Sequence, residues 1–98
     1  MRQIRFEWDE EKAASNLAKH GVSFVEAEDL FSPGSAFFDD LDHSESELRL
    51  LAIGFSGKGR SLVVSFTRSD ELTYRIISAR CTTKQEQRRY AEAKRQNG

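Results

Sequence analysis

The run RIISARCTTKQEQRRY occupies residues 75–90 and decides the fold at the C-terminal end of the chain. Its first half is rich in β-branched residues, which predicts a strand from Leu72 to Arg80. Its second half begins with Thr83 and has Glu86 three residues later. At that spacing the Thr83 side chain accepts from the Glu86 amide while the Glu86 carboxylate accepts from the Thr83 amide. The run therefore predicts a strand, a short turn and a helix entered through a capping box.

The same run concentrates positive side chains. Arg75 and Arg80 lie at the two ends of the β-branched segment, and Lys84, Arg88 and Arg89 follow in the predicted helix. A rigid strand end next to a helix start would bring such groups into a small region, which suits an anionic ligand and phosphate above all. The alternative interpretation is a strand and a helix whose basic residues are simply solvated.

Charge is unevenly distributed along the chain. Residues 75–98 carry seven Lys/Arg against two Asp/Glu, a net charge of +5, whereas residues 1–74 carry eight against fourteen, a net charge of −6. A basic C-terminal quarter on an acidic body could steer a polyanion to one surface. A polar terminal helix that happens to be rich in Lys and Arg would give the same count.

Size and composition indicate one small domain that spans residues 1–98. The chain is 38% hydrophobic, enough for a single core, and its 32% of charged residues excludes a membrane protein. It has no apolar run of membrane-spanning length and no signal-peptide pattern, so we expect a cytoplasmic location. Cys81 is the single cysteine, which excludes an internal disulfide and a cysteine metal cluster. We expect it to lie half-buried at the strand end.

The N-terminal third predicts a strand followed by two helices. Alternation over Arg2–Trp8 is typical of a half-buried strand. The first helix starts after Asp9 as N-cap, runs to about Lys19 and ends at Gly21. The second helix follows a further capping box, which pairs Ser23 with Glu26, and ends near the Ser32-Pro33-Gly34 turn.

The middle of the chain predicts four strands joined by short turns. Their expected bounds are Ala36–Asp39, Leu48–Phe55, Ser61–Thr67 and Leu72–Arg80. Close spacing and Gly- or Asp-bearing turns favour an antiparallel meander. The predicted order is β-α-α-β-β-β-β-α. This is an α+β fold, an antiparallel sheet with the N-terminal helix pair on one face and a C-terminal helix.

Three ordered blocks of the sequence resemble the BrnT toxins. They are WDxxKxxxNxxKHGVxFxxA at residues 8–27, DHSExExR at residues 42–49, and RIISAR with ExxRY at residues 75–80 and 86–90. The resemblance implies a RelE-type fold and a type II toxin, a ribonuclease that halts translation. It also implies a BrnA-like ribbon-helix-helix antitoxin that neutralises the toxin, the complex repressing its own operon by binding operator DNA. Cys81 departs from the pattern, because a more basic or otherwise different residue is expected there.

RNA cleavage without a metal needs a base for the 2′-hydroxyl, cations around the phosphate and an acid for the departing 5′-oxygen. His20 is a candidate proton carrier or a C-capping residue, and His43 a proton carrier or an anchor of the strand start. Glu47 is a candidate base or a salt-bridge partner of Arg49 or Arg75. Tyr90 could stack on a base, donate a proton or pack the last helix onto the sheet. No cofactor and no metal site are expected.

The strongest candidate for the phosphate contact is Arg80, with Arg75 second. Five positions separate them, so they point to opposite faces unless the strand twists or bulges. Lys12 and Lys19 are seven residues apart on one helix face and could follow an RNA backbone or be solvated. Asn16, in mid-helix, is unfavourable by propensity, which indicates a hydrogen-bonding role.

Two further functions remain open on the sequence. One is a non-catalytic module that binds a partner protein or operator DNA through the basic C-terminal helix. The other is a metal-dependent nuclease that uses the acidic segment from Asp42 to Glu47.

Overall fold

The computed structural model describes residues 3–40 and 48–97 of the 98-residue chain. Within these residues the chain forms five strands and three α-helices. In order, they are β1 (Arg5–Glu7), α1 (Glu10–His20), α2 (Phe24–Ala27) with a 3₁₀ turn (Glu28–Leu30), β2 (Ala36–Asp39), β3 (Arg49–Phe55), β4 (Ser61–Asp70), β5 (Thr73–Cys81) and α3 (Lys84–Asn97). The predicted order of elements is therefore confirmed. The first strand is shorter than expected, and the second helix becomes a 3₁₀ turn that ends at Leu30.

The five strands form one sheet in the order β1-β5-β4-β3-β2. From β2 to β5 the pairing is antiparallel throughout, as the short turns predict. The expectation of a wholly antiparallel sheet is wrong, because β1 runs parallel to β5 with Phe6 opposite Tyr74. Alternation in the first strand indicates that it is half-buried, but it carries no information on which strand it joins or in which direction. The sheet is mixed, and the helix pair connects its two edges.

Local capping accounts for the ends of α1. The Asp9 carboxylate accepts from the amides of Glu11 and Lys12 at 2.8 and 3.1 Å, and Gly21 ends the helix in the left-handed conformation with φ of 70°. The second predicted capping box is half right. Ser23 accepts from the amide of Glu26 at 3.0 Å, but the Glu26 carboxylate turns into the protein and bonds other groups.

The core lies between the helix pair and one face of the sheet. Its largest buried side chains are Phe24, Leu30, Leu62, Phe66 and Ile76. Phe37 and Phe55, by contrast, are about half exposed. Cys81 is exposed, not half-buried as expected, because it ends β5 at the margin of the sheet. Across residues 3–40 and 48–97, no helix combines the length and apolar character needed to cross a bilayer.

Candidate functional site

A β-bulge in β5 determines which side chains share the second face of the sheet. Ser78 pairs with Ser65 but Ile76 pairs with Phe66, so Ile77 is an extra residue with no partner of its own on β4. The extra residue shifts the alternation of β5 by one. Arg75 and Arg80 consequently lie on the same face, opposite Thr67 and Val63 of β4, although they are five positions apart.

A cleft of about 580 Å³ lies on this second face, between the sheet and the start of α3. Its lining comes from β3, β4, β5, the end of β2 and α3. The lining residues are Asp40, Arg49, Leu51, Ser65, Ser78, Arg80, Thr83, Gln85, Glu86 and Arg89. Three arginines against two carboxylates leave the lining with a net positive charge. The cleft is therefore suited to a ligand that carries negative charge.

Arg80 is held in a fixed orientation at the α3 side of the cleft. Its two terminal nitrogens donate to the two oxygens of Glu86, each at 2.8 Å, in a bidentate pair. Glu86 also accepts from the amide of Thr83 at 2.9 Å, and its own amide donates to the Thr83 hydroxyl at 3.2 Å. The predicted capping box is confirmed, and the same carboxylate that caps α3 orients Arg80.

The Glu86 carboxyl is ionised at neutral pH. The Arg80 guanidinium lowers the pKa of Glu86 below its usual range, outweighing the effect of partial burial, and the Thr83 amide acts in the same direction. The pKa of Arg80 is raised by the same hydrogen bonds. An ionised Glu86 has no proton to give and cannot act as an acid, and its two hydrogen bonds hold the Arg80 guanidinium in place.

Asn16 fixes β5 one residue before Arg80. Its amide nitrogen donates to the carbonyl oxygens of Ala79 at 2.7 Å and Val22 at 3.0 Å, and its amide oxygen accepts from the Ala79 amide at 3.1 Å. The strand β1 pairs with β5 only as far as Arg75, so Asn16 takes the place of a neighbouring strand at Ala79. The predicted hydrogen-bonding role of this buried residue is confirmed.

Two serines and one further arginine complete the lining of the cleft, and an aromatic ring lies beside it. Ser65 and Ser78 lie opposite each other on β4 and β5, and the buried Ser65 hydroxyl has no hydrogen-bond partner among the described residues. On α3, the Arg89 guanidinium carbon lies 4.1 Å from the centre of the Phe38 ring. The Phe38 ring thereby supports the guanidinium through a cation–π contact.

Arg75 and Tyr90 lie outside the cleft. Arg75 is four β4 residues from the position of Arg80, roughly 13 Å along the strand, and its guanidinium is 3.9 Å from Glu7. The Tyr90 hydroxyl donates to the carbonyl of Gly34 at 2.9 Å, and its ring packs edge-on against Phe55. The structure thus places Tyr90 where it docks α3 onto the sheet.

The remaining candidates are distributed over other surfaces. Lys12, Lys19 and His20 are exposed on α1, which packs on the opposite face of the sheet from the cleft. Lys84 and Arg88 are exposed on α3 and do not line the cleft. The last two candidates, His43 and Glu47, lie outside the described residues.

Sequence reasoning missed several residues in and beside the cleft. Nothing near Phe38 in the sequence indicates that its ring contacts Arg89. Ser65 and Ser78 are ordinary strand residues in the sequence, and only the pairing of β4 with β5 brings them together on the cleft face. Arg49 has a signal, because it belongs to the DHSExExR block, but the sequence indicates only a salt bridge with Glu47 for it.

The donors for a metal ion are sparse where the structure is described. In residues 3–40 and 48–97, no group of three or more His, Cys, Asp or Glu side chains could hold a metal. The acidic segment proposed as a metal site, from Asp42 to Glu47, lies outside those ranges.

A mixed sheet with a helix pair on one face and an arginine-lined cleft on the other defines a small α+β protein whose cleft suits an anionic ligand. The family model described as the ribonuclease toxin BrnT of type II toxin-antitoxin systems matches residues 8–86. This chain belongs to that family, a family of ribonuclease toxins.

A solved structure supports the assignment. The crystal structure of the Brucella abortus ribonuclease toxin BrnT aligns with a TM-score of 0.66 and 26% sequence identity, over 84% of this chain and 100% of that one. The comparison with curated proteins finds no match. The BrnT resemblance and the α+β class are confirmed, whereas the RelE-type label stays a prediction.

Proposed function

We propose that this protein is an endoribonuclease that holds the scissile phosphate of RNA in the arginine-lined cleft and cleaves it without a metal ion. The observation that carries the proposal is the Arg80–Glu86 pair. It presents a guanidinium of fixed orientation at the edge of a cleft of about 580 Å³. A preoriented cation of this kind stabilises the charge that develops on a phosphate during reaction.

The proposed reaction uses the 2′-hydroxyl of RNA as nucleophile. The 2′-oxygen forms a bond to phosphorus, and the bond from phosphorus to the 5′-oxygen breaks. A base removes the 2′-hydroxyl proton and an acid protonates the leaving 5′-oxygen, which gives a 2′,3′-cyclic phosphate and a 5′-hydroxyl end. Arg80, with Arg49 across the cleft, would neutralise the non-bridging oxygens of the phosphate.

Glu47 and His43 are the proposed proton carriers for this reaction. They belong to the segment that precedes Arg49 in the sequence, and Arg49 lines the cleft. A carboxylate suits the base and an imidazole suits either role near neutral pH. Their assignment is tested by the dependence of the cleavage rate on pH. If His43→Ala loses the acidic limb of this profile and keeps the basic one, His43 supplies the base; the reverse result assigns it as the acid.

Family membership implies an antitoxin, and we extend the proposal to its identity and consequences. The partner would be a BrnA-like ribbon-helix-helix protein, and the complex would bind operator DNA through that partner and repress the operon. Free toxin would inhibit translation in the cytoplasm by cutting RNA. Expression of this chain alone should arrest growth, and co-expression with a ribbon-helix-helix protein encoded by an adjacent gene should restore it.

The direct experiment uses the purified protein, free of antitoxin, with end-labelled RNA in the presence and absence of EDTA. We expect equal cleavage in both, and a loss of roughly 100- to 1000-fold in Arg80→Ala, the size expected when one preorganised charge is removed. Arg88→Ala is the matched control, because Arg88 is an exposed arginine of α3 that does not line the cleft.

The alternatives predict different results. If chelation by EDTA abolishes cleavage, the hypothesis of a metal-dependent nuclease is correct. If the folded wild-type protein binds RNA and leaves it intact under all conditions, the protein is a binding module and the endoribonuclease proposal is wrong.

A further inference from the structure

Arg89 and Phe38 form a pair that the phosphate-binding role of the cleft does not explain. The Arg89 guanidinium carbon is 4.1 Å from the centre of the Phe38 ring, which is stacking distance. Phe38 belongs to β2 and pairs with Leu51, so its ring lies on the cleft face of the sheet. Attraction of phosphate by an arginine does not require an aromatic ring beside it. The contact of Arg89 with Phe38 therefore indicates an additional role.

The Arg89 side chain contacts both the Phe38 ring and the cleft. Arg89 lines the cleft and Phe38 does not, although the two groups are in contact. The Arg89 guanidinium is therefore in contact with the Phe38 ring, and Arg89 also borders the open space of the cleft. A planar, weakly hydrated guanidinium stacks well on flat π-systems, so Arg89 is suited to a second flat group that enters the cleft.

Arg89 lies in the same cleft as Arg80, one helical turn beyond the residue that holds Arg80. Glu86, which holds Arg80 through two 2.8 Å hydrogen bonds, and Arg89 are three residues apart on α3. Residues at that spacing have Cβ atoms roughly 5–6 Å apart on one helix face. A phosphate at Arg80 would consequently place the adjoining sugar and base along the same wall of the cleft, toward Arg89.

We propose that the Arg89–Phe38 pair is a base-stacking subsite, in which a nucleobase next to the scissile phosphate enters the cleft and stacks on the Arg89 guanidinium. The inference rests on the proposed function, because it places the base of the same RNA whose phosphate Arg80 binds. Unpaired RNA bases are commonly recognised by stacking on aromatic side chains and arginine planes. Such a subsite would select single-stranded RNA, since a base within a duplex is already stacked.

The test separates stacking from charge. Binding is measured by fluorescence anisotropy with a 2′-O-methyl RNA oligonucleotide, which cannot be cleaved, and with a series in which one nucleotide at a time lacks its base. In the wild type, removal of one base should weaken binding by roughly 10-fold, within the range of one base stacked on a side chain. Removal of bases distant from it should have little effect.

Three variants sharpen the result. Arg89→Lys keeps the charge and loses the plane, and Phe38→Leu keeps an apolar support and loses the ring. Both should weaken binding to the intact RNA and abolish the penalty at the sensitive position. Arg88→Lys on the neighbouring exposed position should behave as wild type. Thermal unfolding of each variant shows that it is folded.

The outcomes are distinguishable from failure of the nuclease proposal. If Arg89→Lys binds as wild type, or if the wild type has no base-sensitive position, the stacking subsite is wrong and Arg89 acts as a charge alone. If the wild type cleaves no RNA but retains the base-sensitive binding that Arg89→Lys removes, the subsite stands and the catalytic proposal fails.

Discussion

Two arginine–glutamate pairs with the same chemistry lie on opposite faces of the sheet. Glu26 in α2 accepts from Arg60, whose Nε is 3.0 Å away, and from the Ser56 hydroxyl at 2.7 Å, while Arg60 also donates to the carbonyl of Gly21. The Glu26 side chain is 4% exposed. In the cleft, the side chains of Glu86 and Arg80 are 19% and 42% exposed.

The difference in surroundings gives the two pairs different roles. The Glu26 pair joins α2, the end of α1 and the β3–β4 turn. Its carboxylate is almost fully buried among these elements. The Glu86 pair has a cleft beside it that a ligand can enter. We infer that the first pair contributes mainly to stability and the second mainly to the orientation of a binding group, and the following experiments test that contrast.

The largest expected effect is on stability at the buried pair. Glu26→Ala leaves Arg60 without its carboxylate partner and should lower the free energy of unfolding by about 2–3 kcal/mol. Val25→Ala, at the exposed neighbouring position, should change it by less than about 0.5 kcal/mol. Urea titration measures both. Cleavage per folded molecule should be unchanged in Glu26→Ala, and a loss there would show that the pair also supports the cleft.

The second largest effect is the pH dependence that the Glu26–Arg60 pair gives to the free energy of unfolding. Arg60 lowers the pKa of Glu26 to about 2, with the Ser56 hydroxyl acting in the same direction. A depressed carboxyl pKa stabilises the fold above the unfolded value near 4.5, and this stabilisation is lost as the pH falls toward 2. After allowance for screening by solvent, the wild type should lose about 1–2 kcal/mol between pH 7 and pH 3 from this group.

Glu26→Gln is the control for that dependence. It removes the titrating group and should flatten the stability curve over this pH interval relative to the wild type, by urea midpoints measured at each pH. Parallel curves for the two proteins would mean that another carboxyl is responsible.

The smallest expected effect is on kcat and comes from a change in the Arg80–Glu86 pair of the cleft. Glu86→Gln keeps an oxygen that can accept from the Thr83 amide but weakens the hold on Arg80. We expect kcat to fall roughly 10-fold, within the range of positioning effects, while affinity for 2′-O-methyl RNA is equal or tighter because a negative charge is gone. Stability should change by less than about 1 kcal/mol, because the pair is partly exposed.

Glu92→Gln, an exposed acid on the same helix, is the matched control for Glu86→Gln and should leave kcat at the wild-type value. A variant of Glu86 that is destabilised as strongly as Glu26→Ala, with normal kcat per folded molecule, would contradict the proposed division of roles.

Most of the fold could be predicted from local patterns. Alternating apolar residues and Gly-bearing turns located the four meander strands within a few residues, and the Thr83–Glu86 spacing located the start of α3. The placement of Asn16 in mid-helix correctly indicated a hydrogen-bonding residue. These signals work because capping and alternation depend on neighbours within a few positions.

What could not be predicted depends on partners distant in the sequence. The parallel pairing of β1 is set by where the helix pair delivers the chain, and the bulge at Ile77 appears only against the register of β4. The bulge is what places Arg75 on the face of Arg80. The partner of Glu26, 34 positions away, and the contact of Arg89 with Phe38 are likewise tertiary.

The amide of Asn16 has a consequence for association between molecules. Small sheet proteins are at risk of polymerising edge to edge through backbone groups that lack a partner strand. Beyond the short β1, the outer side of β5 would present such groups, but at Ala79 both are already taken by a side chain of the same molecule. The sheet is thereby bounded, on the β5 side, by a margin that resists strand addition at this point.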